Sequence, residues 1–453
     1  MQTRLPFEID QQIEESLTTG YAGVPLVMEL FRVSGAAGAV DEQVRIKKRK
    51  RGASELEIVE SLLALWSAGG ERCEDLERLR EDRALAQLLG HEIVSARVAR
   101  DFLEGFHEDG ALPLWQGQAG SSVPQESEPT VALARANARV VAHVQRRAPQ
   151  KTATLDVDAT ILESDKRVAR TAYDGRRGYQ PVFVLWAEQE LIVADEFRDG
   201  NVPAGSGNLR VVQKALEALP PGVEQIQLRG DSALYEHALL DELAARGIGF
   251  AISADMSPAL LQAIKALPEE AWQAEGAERD AYRQWAEVVF VSNEQRSAQP
   301  HRYLAIRILK KQGSLFADGS DRRHHAIVTN REGDGLQLIR WHRGMAGTIE
   351  HTHDVLTNEL AAEALPSQHF GANAAWVRLN ALLYNLLAAL RRTALPEEFR
   401  TARPKRLRFV LLNTLGRVIR HARETLLRSY FDLHRRLLDS ARVQIHRPMP
   451  ALG

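Results

Sequence analysis

One stretch limits the fold more than any other: across residues 154–253 the hydrophobic period switches repeatedly between two and about 3.6. Residues 154–159 alternate, and 179–187 and 191–197 read as two apolar strands joined across Glu188-Gln189-Glu190. A helix over 208–219 is stopped by Pro220-Pro221-Gly222, and the strand 225–228 ends at Arg229-Gly230-Asp231. A second helix, 234–246, leads to a last strand, 249–253. Three strands, a helix, a strand, a helix and a strand require a mixed sheet with helical crossovers.

The flanks are of another kind. Residues 1–107 read as helical. Ser54-Glu55-Leu56-Glu57 is a capping box ahead of Ile58, Leu62, Leu65 and Trp66. A short helix over 84–89 ends at Gly90, and Ser95 is placed to cap a helix over 96–103 carrying Arg97 and Arg100. That outline fits a helix-turn-helix, whose second helix enters a DNA groove, and equally an ordinary helical hairpin. Gly, Pro, Ser and Gln crowd residues 108–130, as in a linker. The expected division of the chain is therefore a helical DNA-binding domain (1–107), the linker, a first part of the core (131–254), an insertion domain with strands (255–340), the remainder of the core (341–395) and a basic helical tail (396–453).

Overall charge is uninformative, with 58 Lys and Arg against 60 Asp and Glu, but its distribution is not. From Arg391 to Arg447 there are fifteen Lys or Arg and five Asp or Glu. A second basic knot contains Lys47, Lys48, Arg49, Lys50 and Arg51. Such segments suit a phosphate backbone, although a charge run is as often a solvated face. The single cysteine, Cys73, excludes a disulfide framework and a cysteine-based zinc cluster. Its acidic surroundings would raise a thiol pKa, which argues against a nucleophile. No signal-peptide pattern or membrane-length apolar run is present, so a cytoplasmic protein with no membrane partner is expected.

Several acids stand where ligands of an open α/β sheet bind. Asp158 lies near the end of the first strand, with Asp156 on the same face, and Asp231 directly follows a later strand. Glu350 opens a helix beyond the 255–340 interruption. A strand-end Asp is more often a turn cap or the partner of an Arg. The combination suits a pair of divalent ions for phosphodiester chemistry, since Mg²⁺ takes hard oxygen ligands from separate elements. A rival reading takes Glu350-His351-Thr352-His353-Asp354 as a metal cluster of its own, for which the only second half is Glu104 to His107. Trp272 and Trp285 fall in the 255–340 interruption, where burial in its own core is the plain reading.

Three segments carry a family resemblance: Thr154-Leu155-Asp156-Val157-Asp158-Ala159-Thr160, Leu228-Arg229-Gly230-Asp231-Ser232-Ala233-Leu234 and His342-Arg343-Gly344-Met345-Ala346-Gly347-Thr348-Ile349-Glu350. They resemble the acidic motifs of bacterial insertion-sequence transposases with a DDE domain of group 1. Gly371 to Trp376 and Leu383-Tyr384-Asn385-Leu386 resemble the helix closing that domain. The likeness is strong over 150–395 and loose over the N-terminal helices.

It implies a ribonuclease H-like mixed sheet with a β-containing insertion, preceded by a helical domain and followed by basic C-terminal helices. It also implies an enzyme that cuts DNA at element ends and joins them to target DNA. Asp158, Asp231 and Glu350 would hold two Mg²⁺ ions, for which Mn²⁺ can substitute, with Asp156 in support. Arg343 and Arg229 would hold phosphates, while Arg97, Arg100 and the 47–51 knot would bind DNA outside the active site. Terminal inverted repeats and target DNA would be the partners of a homodimer or larger synaptic assembly. The resemblance to transposases that cut through a hairpin implies, for Trp272 or Trp285, that an aromatic in the insertion stacks on an extruded base. Relatives often carry a Tyr and an Arg seven and four residues before the Glu and a Lys seven after it, where this chain has Arg343, Ala346 and Thr357. The alternatives are a silent DNA-binding relative and a nuclease that cuts without joining.

Overall fold

The computed structural model describes residues 17–47, 51–117, 120–277, 280–295, 300–311, 315–421 and 424–449. It is a multidomain α/β arrangement built around a nine-stranded mixed sheet. The strands are β1 (Thr152–Ala159), β2 (Val182–Trp186), β3 (Leu191–Glu196), β4 (Gln225–Gly230), β5 (Gly249–Ser253), β6 (Gln273–Ala277), β7 (Ala281–Val288), β8 (Arg302–Lys310) and β9 (Arg322–Thr329). Their spatial order is β6-β7-β8-β9-β5-β4-β1-β2-β3.

Chain connectivity accounts for the strand directions. The stretch 160–181, which carries a small three-stranded sheet of its own, returns β1 to β2, and a tight turn joins β2 to β3, so both pairs are antiparallel. The β2–β3 turn places Glu190 at φ 52°, a left-handed conformation that few non-glycine residues adopt. Between β3 and β4, and between β4 and β5, the chain crosses over through helices, and β1, β4 and β5 are mutually parallel neighbours. The segment after β5 returns as β9, antiparallel on the β5 edge, and extends the same sheet through β8, β7 and β6.

Besides the crossover helices, six others matter for the site and its support: α1 (Glu55–Ala68), α2 (Ala96–Glu104), α3 (Glu128–Arg147), α4 (Gly335–Arg343), α5 (Ile349–Glu359) and α6 (Phe370–Thr393). The Ser54 capping box forms as the sequence predicts, and the Ser95 side chain accepts from the Val98 N–H at the start of α2. α6 is buried almost end to end, against α3 and β3 on one side and the N-terminal helices on the other. Trp66 of α1 meets Trp376 edge-on, ring centroids 4.6 Å apart. Asn385 Nδ2 donates to the Ile192 carbonyl and its Oδ1 accepts the Ile192 N–H, fastening α6 to β3. A single apolar core runs from these helices into the sheet, and a small second one (Ala251, Trp285, Leu304, Ile306, Ile327, Leu338, Ile339) fills the insertion side. Trp285 therefore belongs to that core. Trp272 is 9 % exposed and lies beneath the Arg307 guanidinium at 4.3 Å.

Two regions differ from the sequence reading. The 108–130 stretch contains a small hairpin, Pro113–Gln116 against Ser122–Pro124. The tail is not purely helical. Gly416–His421 (β10) and Glu424–Ser429 (β11) form a hairpin whose β10 edge takes up Thr18–Thr19, and only then does a last helix, Asp432–Ile445, begin. The scattered arginines break the apolar alternation that would have announced these strands. Among the described residues, no helix is long and apolar enough to cross a membrane.

Candidate active site

Strand register brings the two aspartates together. β1 and β4 run parallel with Arg229 beside Asp156 and Gly230 beside Val157, so one further step sets Asp231 beside Asp158. Adjacent strands are separated by about 4.8 Å, and residues two apart share a face. Asp158 and Asp231 thus rise side by side from the ends of neighbouring strands, above the pair Asp156 and Arg229. Asp158 Oδ1 accepts from the Ala159 N–H at 2.8 Å, and Asp231 Oδ1 accepts from the Ala233 N–H at 2.9 Å, capping the turn after β4. Glu350 lies exposed in the first turn of α5.

The electrostatics register this proximity. The Asp158 carboxyl is pushed up to about 7, first by burial, next by the negative charge of Asp231, with Glu350 adding to it. Asp231 is raised as well, by desolvation at the strand ends and then by Asp255 just beyond β5. No Lys or Arg pairs with Asp158, Asp231 or Glu350 among the described residues. Nor do any three His, Cys, Asp or Glu side chains among these residues close into a formed metal cage. The three acids share a field without closing on a point.

Asp156 sits in the opposite circumstances. It is fully buried, receives Arg229 Nε at 2.6 Å and Nη2 at 2.8 Å, and accepts a third bond from the Thr348 hydroxyl. Arg229 also donates to the Trp341 carbonyl at 2.6 Å, and its guanidinium lies over the Trp341 ring. The expectations of Asp156 as a supporting metal ligand and of Arg229 as a phosphate contact therefore meet a different arrangement. Each satisfies the other, because two residues placed side by side by the register on one buried face form a bidentate pair. The pair ties β1 and β4 to Thr348, two residues before Glu350.

Two histidines complete the surroundings. His342 Nε2 donates to the Gly230 carbonyl at 2.9 Å, pinning the end of α4 beside Asp231, and burial lowers its pKa. His353 packs on Phe183 with Nδ1 3.6 Å from Asp158 Oδ2, and burial brings it down to about 4, so the ring is neutral. The sequence held a signal for each: His342 is inside the third motif, and His353 lies three residues after Glu350 on one helix face. The rival metal cluster disperses, since Asp354 turns to Arg403 and Glu104 to Ser367 and His369.

The remaining basic candidates divide. Arg343 is held by Glu275 of β6, and with Asp231, Asp255 and His342 it lines a cavity of about 460 Å³ over Ile306 and Ile327. Arg97 projects from α2 with its side chain 88 % exposed, near Asp101, and Arg100 pairs with Glu74. Lys47 donates to the Arg51 and Ala53 carbonyls, and Arg51 is exposed. Lys48, Arg49 and Lys50 lie outside the described residues.

The family model for the transposase DDE domain, group 1, matches residues 16–430. Among solved structures, a cryo-EM piggyBac transposase synaptic complex with hairpin DNA is similar to 94 % of this chain and 83 % of its own, at 10 % identity and a TM-score of 0.49. No curated protein sequence matches. A family match across 16–430 takes in all three acids, both histidines and the sheet that sets them side by side, and on it the chain belongs to the group 1 DDE-domain transposases.

Proposed function

We propose that this transposase cuts DNA at the terminal inverted repeats of a mobile element and joins the freed 3′ ends to target DNA, using Asp158, Asp231 and Glu350. The observation that carries the proposal is the parallel β1–β4 register, whose last pair, Val157 and Gly230, lies one residue before Asp158 and Asp231, with an Asp158 carboxyl that feels both of the other acids. Three hard oxygen donors without a basic partner fit divalent cations, because what the cluster lacks is positive charge. Bound there, two Mg²⁺ or Mn²⁺ ions would polarise the scissile phosphate and stabilise the entering and leaving oxygens. Asp158 and Asp231 would hold the ions from the strand ends, and Glu350 would complete the set from α5. Neutral His353 brings no competing charge to Asp158, while the Asp156–Arg229 pair and Thr348 fix the start of α5.

The order β3-β2-β1-β4-β5, with β2 alone running against the other four, supports a ribonuclease H-like core spanning 131–254 and 341–395. On that reading, 1–107 is the DNA-binding helical unit, 108–130 connects it, 255–340 is the insertion, and 396–453 adds basic surface. Arg97, Arg100, Lys47 and Arg51 would track phosphates, and so would Arg343 on exchanging Glu275 for DNA. Handling two element ends implies a homodimer or a larger assembly.

The test is a cleavage and joining assay with the element's end sequences, a target plasmid and Mg²⁺ or Mn²⁺. Both products are expected, and Asp231→Asn should yield neither. Cleavage without joined product would reduce the enzyme to a nuclease. Activity retained by Asp231→Asn would overturn the shared site.

A further inference from the structure

The C-terminal hairpin ends in an open edge. In the three-stranded sheet the order is Thr18–Thr19, β10, β11, so among the described residues β11 has a strand neighbour on one side only. Unpaired edges template pairing with another strand, and proteins commonly blunt them with charge, proline or a cover. β11 is exposed at Glu424, Thr425, Leu426, Leu427 and Arg428, has no proline, and carries two leucines at its centre. Its two faces are distinct. Leu427 stands opposite Val418, which is 3 % exposed, so the face of Thr425 and Leu427 looks inward. Glu424, Leu426 and Arg428 share the outer face, with Leu426 at 45 % exposure.

That outer face carries an uncompensated electrostatic conflict. Arg417 of β10 stands directly opposite Arg428 of β11, and like charges directly opposed destabilise a ladder. Neither Arg428 nor Glu424 forms an ion pair among the described residues. An anion on the free side of Arg428 would relieve the conflict.

We infer that β11 pairs antiparallel with β11 of a second copy of this chain, across a twofold axis through Leu426. Geometry restricts the register. Residues directly opposed in an antiparallel ladder turn their N–H and C=O the same way, toward or away from each other, and this alternates along a strand. A strand paired with its own copy must therefore match residues of equal parity, so the axis passes through a residue. An axis through Leu426 faces Glu424 with Arg428 of the partner copy, twice, and Leu426 with its own counterpart. An axis through Leu427 faces Glu424 with Tyr430 and Leu426 with Arg428. Only the first gives each Arg428 an acid and closes the leucines on one another. The interface is isologous and joins two three-stranded sheets into one of six. Why two copies matter rests on the transposase reading, since two element ends must be held at once. The association itself needs neither DNA nor metal.

The test uses the full chain, free of nucleic acid and divalent ions, in light scattering and sedimentation. Wild type is expected at twice the 50.5 kDa of one chain. Glu424→Arg and Arg428→Glu each set like charges across the axis and should shift the dissociation constant at least tenfold toward monomer, with the melting temperature unchanged. The double variant restores opposite charges and should recover the dimer. Leu426→Cys should cross-link on mild oxidation, because its counterpart lies opposite, whereas Leu427→Cys should not. The only native cysteine, Cys73, is 2 % exposed and does not compete. A monomeric wild type, a double variant no better than the singles, or equal cross-linking at 426 and 427 would overturn the proposal. So would single variants that lose duplex-DNA binding yet stay dimeric, since that outcome makes β11 a DNA surface. Loss of cleavage by a chain that still dimerises would instead count against the active-site reading alone.

Discussion

Asp156 and Asp158 are two residues apart on one strand and face the same way, yet their surroundings are opposed. Asp156 meets a guanidinium, a hydroxyl and no solvent; Asp158 feels the charge of two other acids, lies near a neutral imidazole and is partly exposed. Register accounts for the difference, because β4 presents Arg229 at the lower step and Asp231 at the upper. The lower step converts charge into rigidity. The upper step leaves charge uncompensated, which is the condition for gathering cations. Each step can be broken separately, and the two failures should look unlike.

The largest effect is expected at the upper step. Asp158→Asn keeps the shape and removes the charge, so DNA cleavage should fall by about a thousandfold or more, equivalent to roughly 4 kcal/mol of transition-state stabilisation. Folding should not suffer, since the substitution relieves repulsion from Asp231 and Glu350. Single-turnover cleavage together with a melting curve checks both halves. A variant that lost stability along with activity would place Asp158 in the same class as Asp156.

At the lower step the order reverses, and stability is the first casualty. Asp156→Ala leaves Arg229 buried at 6 % exposure without its partner, a loss of about 3–5 kcal/mol by the usual cost of breaking a buried pair. Urea unfolding would measure it. Replacing both members, Asp156→Leu with Arg229→Met, should return most of that stability, because the stranded charge goes with its partner. A double variant as unstable as the single would show that the pair matters through Thr348 and Trp341 rather than through charge.

Acid–base behaviour sharpens the contrast further. The Asp158 carboxyl titrates near 7 in the fold against an ordinary 3.8, so its protonated form favours the folded state. That contribution is fully present below about pH 4 and is lost as the pH rises through about 7. In metal-free protein the melting temperature of wild type, relative to Asp158→Asn, should fall between those limits by the equivalent of a few kcal/mol. A flat difference over pH 4–8 would mean that neither burial nor the neighbouring acids raise the Asp158 carboxyl.

The sequence disclosed these steps unevenly. Alternation within 154–159, the proline stop after the 208–219 helix and the strand-end Asp231 were all readable, because each depends on local period or on a turn residue. The Asp156–Arg229 pair was not, since register between strands 73 residues apart is a tertiary fact. Motif spacing put Asp156 and Arg229 beside the candidate acids but could not show that they face each other. His353 was visible as a neighbour of Glu350, yet its approach to Asp158 depends on where α5 docks. The β10–β11 hairpin was hidden because Arg420 falls on the inward face and Ile419 and Leu426 on the outer one, so no alternation marked two short strands within a basic tail.

Thr348 joins the two steps and should give the smallest effect. Its hydroxyl donates to Asp156 from the residue before α5, so the lower pair reaches the upper site through one bond. Thr348→Val preserves shape and removes the donor, which should cost about 1–2 kcal/mol of stability, less than loss of Asp156 because Arg229 keeps its acid. Its value lies in what happens to Glu350. If the bond sets the start of α5, the variant should bind Mn²⁺ more weakly by calorimetry, with the Asp158 and Asp231 strand ends undisturbed. A lower melting temperature with unchanged Mn²⁺ affinity would show that Glu350 is placed by the packing of α5 alone, and that the two steps are independent despite their shared strands.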